Sequence, residues 1–211
     1  MRSTWVSGYR VLFALFALVA IGYQFYDSTI EGDFSPFNFF SFFTIQSNLI
    51  GAAVFLSLAF ALDNDQQRSP RLELVRGAAT LYLFIAFVVY GLLLSGYQEE
   101  LQTTTPWVDT VLHRWMPLVV VADWLLDPPH HRIELRRALV WLAYTLLYAA
   151  YSLIRGPIVD WYPYPFLDPD SAGGYLVVAL SCLAIAVGTV VGAWLVVLLS
   201  RRVRLAVSAV T

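Results

Sequence analysis

Apolar residues in this chain gather into six long runs, over approximately 8–26, 38–62, 74–96, 107–126, 136–155 and 174–199. Each is close to the roughly 20 residues that a helix needs to cross the hydrocarbon core of a bilayer. The pattern predicts an all-α protein: one integral membrane domain over residues 1–211, folded as a bundle of six transmembrane helices. The first run ends in Tyr23-Gln24-Phe25-Tyr26 and lacks a small-x-small cleavage pattern, so it is expected to stay attached. The second run breaks the apolar pattern at its start with Ser41, Thr44, Gln46, Ser47 and Asn48. On one continuous helix, Ser41, Thr44, Ser47, Asn48 and Gly51 would share a face. Polar side chains in a spanning helix turn toward protein or a cavity, because lipid offers them no partner. That stripe is therefore expected to face inward, with the other helices around it.

Composition supports the membrane reading. Of 211 residues, 59% are hydrophobic and 13% charged, and the mean hydropathy is +0.65; soluble domains are about a quarter charged. All 13 basic residues are arginine, and their placement predicts topology. Arg2 and Arg10, then Arg68, Arg71 and Arg76, then Arg132, Arg136 and Arg137, then Arg201, Arg202 and Arg204 all fall at one set of helix ends. The alternate connections hold Asp27, Glu31, Asp33, Glu99, Glu100, Asp160, Asp168 and Asp170, with Arg155 the one arginine near them. By the positive-inside rule both termini are expected to be cytoplasmic. No basic patch suits nucleic acid. The single Cys182 excludes an internal disulfide and a cysteine metal cluster.

Several stretches admit a plain and a functional reading. His130-His131, after Asp127-Pro128-Pro129, suggest a metal site only weakly, since no acidic or cysteine partner is spaced for them; a solvated or headgroup-contacting pair is the expectation. The loop from Gly156 to Pro169, rich in proline and aromatics, reads either as an interfacial anchor or as a lid over the outer mouth of the bundle. Gly188 and Gly192 form a small-residue packing face. Tyr144, Tyr148, Tyr151 and Arg155 share a face of the fifth segment and read as a tyrosine ladder ending in a snorkelling arginine, or as a carboxylate clamp.

The fourth segment carries His113, with Asp109 and Thr110 on the same face. An imidazole inside a membrane helix is costly unless paired, so His113 is a candidate functional residue, the plain alternative being a structural hydrogen bond. Thr44 lies six residues past Asn38 and His113 six past Trp107, which puts each roughly 9 Å below the outer boundary. A hydroxyl beside a base at one depth is the minimum equipment for attack on an ester carbonyl. Asp109, one turn away, can orient the imidazole. Ser47, Asn48 or backbone N–H groups are candidate oxyanion donors; Arg155 or loop tyrosines such as Tyr164, and Tyr148 on the fifth segment, are candidate substrate contacts. Asp123, ten residues beyond His113, is expected to pair near the cytoplasmic end. No G-x-S-x-G elbow, H-E-x-x-H, Walker loop or dinucleotide fingerprint is present, so no cofactor is expected.

Phe43-Thr44-Ile45-Gln46-Ser47-Asn48-Leu49, then His113 with Pro117, then Trp161-Tyr162-Pro163-Tyr164-Pro165-Phe166-Leu167-Asp168 resemble the androgen-induced gene protein family. That family also contains the androgen-dependent TFPI-regulating protein and bacterial six-span proteins, which this chain looks like. The resemblance implies a threonine hydrolase of fatty acid esters of hydroxy fatty acids, in a bacterial cytoplasmic membrane. It puts the essential threonine on Thr44 and the essential histidine on His113. Where the mammalian members are expected to carry another histidine, one turn before His113, this chain has Asp109. The implied partners are a lipid or fatty-acyl ester substrate and membrane lipids; oligomeric state is left open. The rival expectation is a membrane protein that binds or transports a lipid or small molecule without chemistry.

Overall fold

The long apolar runs do become helices, and every element among the described residues is helical. The structure, a computed structural model, describes residues 4–30, 34–60, 68–97 and 105–208. In chain order the helices are α1 (Thr4–Ile30), α2 (Pro36–Phe39), α3 (Phe43–Phe60), α4 (Pro70–Val89), α5 (Pro106–Thr110), α6 (Met116–Leu126), α7 (Leu135–Ala138), α8 (Trp141–Val159), α9 (Pro169–Ala172) and α10 (Tyr175–Ser208). A π-helical turn at Tyr90–Leu94 extends α4, and a second at Val111–Trp115 joins α5 to α6. Among the described residues, five helical stretches are long and apolar enough to cross a membrane: 4–30, 43–60, 70–94, 135–159 and 175–201. The stretch over 106–126 is helical throughout, but Asp109, His113, Arg114 and Asp123 keep it out of that set.

The elements differ from the sequence expectation where local chemistry overrides hydropathy. Residues 38–62 do not form one helix. Ser35 caps α2 by accepting from the Asn38 N–H, and Pro36 opens that helix. The chain then turns through Phe40 and Ser41, and α3 starts at Phe43; residues 61 and 62 lie outside the described ones. Ser41 is therefore not on the polar face of α3. Its hydroxyl donates to Phe37 O at 2.6 Å and sits 2.7 Å from Tyr151 Oη. α4 begins at Pro70, earlier than the expected 74, because Ser69 accepts from the Leu72 N–H at 3.2 Å. α8 runs past Pro157 to Val159 and stops at Asp160, whose φ of 52° is left-handed.

α3 and α4 form the middle of the bundle. α3 packs on α1 and α4, and α4 in turn packs on α6 and α10. Leu81, Leu83, Phe55 and Leu112 are fully buried between them. Gly77 lets α4 meet two indoles, since a Cβ there would lie 2.5 Å from the Trp141 ring and 3.2 Å from Trp124. Gly192 does the same for α10 against Leu81, whereas Gly188 faces open space, so half of the small-residue face serves contact within the chain. Leu12, Leu15 and Val19 of α1, Leu147 and Ile154 of α8, and Leu180, Leu183 and Val187 of α10 stand exposed. An apolar exterior of this kind is what a lipid-facing surface requires.

One end of the bundle is held by buried charge. Asp123 accepts from Arg10 Nε at 2.7 Å and from Arg76 Nε and Nη2 at 3.0 and 2.6 Å, and it also accepts from the Tyr9 hydroxyl. Asp127 accepts from Arg10 at 2.6 Å and from Arg68. Glu73 receives the His130 and His131 backbone N–H groups at 2.6 and 2.7 Å, and His131 Nε2 lies 2.8 Å from Arg68 O. The two histidines thus close the connection after α6.

Candidate functional site

The site lies at the other end, where α1, α3, the two π turns and the loop after α8 converge. Thr44 is the second residue of α3, so its backbone N–H is one of the donors that a helix start leaves unpaired. Tyr164 supplies the partner: its hydroxyl accepts the Thr44 N–H at 3.3 Å and lies beside the Thr44 side chain. Tyr164 and Leu167 are buried. The loop therefore folds onto the start of α3 instead of splaying outward.

The widened turn at Val111–Trp115 has a cause in the sequence. Pro117 has no N–H, and in a regular α-helix its ring would strike the carbonyl of His113, four residues earlier. The π turn resolves that conflict at the histidine, and single π turns of this sort recur at functional positions. Asn48 bridges this turn to α3, its amide nitrogen lying 2.9 Å from Thr44 O and 3.1 Å from Leu112 O. Ser47 also donates to Thr44 O, at 3.1 Å. Both side chains thus direct these donors to backbone carbonyls and hold Thr44 and His113 in fixed register.

His113 is buried and tightly framed. Its Nδ1 lies 3.1 Å from Asp109 Oδ1 and 3.3 Å from Asp109 O. The Oδ1 approach is at ion-pair distance but is not aligned as a hydrogen bond. The Tyr90 ring stacks on the imidazole, with centroids 4.0 Å apart and planes 19° from parallel, and Tyr90 also hydrogen-bonds Asp109. A proton on Nδ1, shared with Asp109, leaves Nε2 as an acceptor. Nothing in the sequence singled out Tyr90, yet it lies six residues inside the expected end of the third segment. That is the depth at which Thr44 and His113 were paired.

Thr44 faces two cavities. The smaller, of about 10 Å³, is bounded by Thr44, His113, Gln24, Phe42, Ile45, Leu112 and Tyr164. That volume suits about one water. Gln24 of α1 is a further site residue: an expected end at residue 26 puts it at the membrane boundary, whereas α1 continues to Ile30 and sets it roughly 9 Å deeper than the helix end. The larger cavity, of about 90 Å³, is almost wholly apolar. Its walls come from α4, α8, α10 and the loop, with Thr44, Tyr148 and Tyr164 at one end and Ile85, Leu146 and Ile185 among the remainder. Thr44 and Tyr164 stand between the two.

The remaining predicted residues have other partners. Along one face of α8, Tyr144 donates to Gln46 Oε1 at 2.5 Å, Tyr148 to Ser41 O at 2.9 Å, and Arg155 to Asn38 Oδ1 at 2.6 Å. Together with Tyr151 on Ser41 they fasten α8 to residues 38–46. Arg155 also lies over the Trp161 ring, 5.5 Å from its centroid, and lines neither cavity. Tyr148 alone of this face borders the apolar cavity.

Comparisons with protein-family models, curated proteins and solved structures return no match. The functional reading therefore rests on this geometry.

Proposed function

We propose that this chain is an intramembrane lipid-ester hydrolase with Thr44 as nucleophile and His113 as general base. The observation that carries the reading is the position of Thr44 between an apolar cavity with room for a few methylene groups of an acyl chain and a water-sized cavity bordered by His113. Thr44 Oγ1 attacks the ester carbonyl and His113 Nε2 takes its proton, directly or through one water. The C–O bond to the leaving alcohol breaks, and His113 returns the proton to that alcohol. Water then attacks the acyl-Thr44 ester, releasing the acid and restoring the hydroxyl. Asp109 and Tyr90 orient the imidazole. The Tyr164 hydroxyl accepts from the Thr44 N–H and so keeps its own proton to donate to the developing oxyanion. The substrate class is a long-chain acyl ester, in line with the fatty acid esters of hydroxy fatty acids that the resemblance implies.

On this reading the stretch over 106–126 is the sixth span, tolerated in the bilayer because Asp109, His113 and Asp123 face protein while the exposed Arg114 snorkels toward the outer boundary. Both termini then lie on the arginine-rich, cytoplasmic side of a bacterial inner membrane. The test is hydrolysis of long-chain esters by the purified protein in lipid nanodiscs. Thr44→Ala should abolish turnover, and His113→Ala should lower it at least about 100-fold. Full turnover by folded variants would refute the mechanism. The apolar cavity alone would also suit a lipid-binding protein, for which wild type would return every ester intact.

A further inference from the structure

One hydroxyl in the apolar cavity has no protein partner. Thr145 of α8 is 7% exposed, borders that cavity, and its Oγ1 meets no hydrogen-bonding group among the described residues. Threonines in the other helices behave differently. Thr80, Thr110 and Thr189 each donate to the carbonyl four residues earlier, at 3.0, 2.8 and 2.8 Å, as helical threonines commonly do. The corresponding carbonyl for Thr145 belongs to Trp141, which accepts the Tyr82 hydroxyl at 3.0 Å instead. Valine would fill the same space without burying an unmatched polar group, so the hydroxyl is a standing cost unless something in the cavity answers it. Water is a poor candidate, since a stable buried water needs two to four polar partners and the walls of this cavity are almost wholly apolar.

We propose that the ligand of the apolar cavity carries an oxygen on its chain, distinct from those of the scissile ester, and that Thr145 recognises it. Thr145 precedes Tyr148 by three residues, roughly 4.5 Å along the axis of α8, and Tyr148 packs on Phe43 beside Thr44 with ring centroids 5.1 Å apart. The recognised oxygen therefore sits about one helical turn deeper than the reacting hydroxyl. The chemical class is an oxygenated acyl chain: a keto, hydroxyl or ester oxygen a few atoms from the carbonyl. The inference rests on the cavity holding an acyl chain, as proposed above, but not on any hydrolysis.

Binding to the Thr44→Ala protein in nanodiscs tests it without turnover, using stearic acid and a series of its analogues with one keto group walked along the chain. One keto position should bind roughly three- to tenfold tighter than stearic acid. Adding the isosteric Thr145→Val should erase that preference while leaving stearic acid binding no weaker. Equal affinity across the series, or a preference that survives Thr145→Val, would overturn the role of Thr145. Failure of stearic acid itself to bind would instead refute the acyl-cavity reading beneath it, and the proposal with it.

Discussion

Replacing Asp123 by asparagine removes the one carboxylate shared by Arg10 and Arg76, which are 0% and 1% exposed. Arg10 reaches Oδ1 through Nε at 2.7 Å and Nη2 at 2.6 Å, and Arg76 reaches Oδ2 through Nε at 3.0 Å and Nη2 at 2.6 Å. Asparagine keeps one acceptor and turns two donors toward the opposite guanidinium. Breaking a buried pair in this way costs about 3–5 kcal/mol, because the remaining charge is stranded. Arg10→Met should cost less, about 1.5–3 kcal/mol. Asp123 would still hold Arg76, and Asp127 would still hold Arg68. Removing all three charges together, as Arg10→Met, Arg76→Met and Asp123→Leu, should leave the protein more stable than Asp123→Asn alone. Unfolding in mixed detergent micelles can be followed by tryptophan fluorescence, since Trp124 lies 5.2 Å from the Arg76 guanidinium. An Asp123→Asn protein within about 1 kcal/mol of wild type would refute the reasoning, by showing the cluster hydrated and not buried.

Gly77→Ala should destabilise by about 1–3 kcal/mol through overpacking. The new Cβ would meet Trp141 at 2.5 Å, and Trp141 cannot swing aside while its indole N–H is bonded to Leu74 O at 3.0 Å; an unchanged melting temperature would contradict this. Asp127, just past α6, gives a pH signature. Burial pushes its carboxyl up, but hydrogen bonds from Arg68 and Arg10 and the charges of Arg68 and Arg76 outweigh this and hold it below the ordinary value. A depressed carboxylate contributes stability that is complete above the unfolded value of about 3.9 and is lost as pH falls through the lower folded value. The stability gap between wild type and Asp127→Asn should therefore be widest near neutrality and close on acidification. Parallel pH profiles would count against it.

Much of the helical layout was legible because spanning helices must be long and apolar. What hydropathy alone could not show was how the chain enters and bends those helices. Ser35 and Pro36 start a separate short helix, which takes Ser41 off the stripe, and Pro117 forces a π turn at His113; both depend on backbone hydrogen bonding. Thr44 and His113 were identifiable as polar groups at matching depth in apolar segments, with Asp109 one turn away from the histidine. Tyr90 was hidden because tyrosine reads as an ordinary core or interfacial residue, and Gln24 because α1 runs four residues past its expected end. Tyr164 was visible within an aromatic loop, but only folding brings its hydroxyl to the Thr44 N–H. Arg155 shows the converse. As a lone arginine among acidic loops it suggested a carboxylate clamp, and in the structure Asn38 and Trp161 occupy it.

Covalent labelling of Thr44 tests the proposed chemistry most directly. The protein in nanodiscs would be treated with a long-chain alkyl fluorophosphonate, and the adduct mapped by peptide mass spectrometry. A Thr44 made nucleophilic by His113 should carry the phosphonyl group, with labelling lost in Thr44→Ala and strongly slowed in His113→Ala. Equal labelling of wild type and Thr44→Ala, or ester hydrolysis that persists in Thr44→Ala, would contradict a threonine nucleophile at this site.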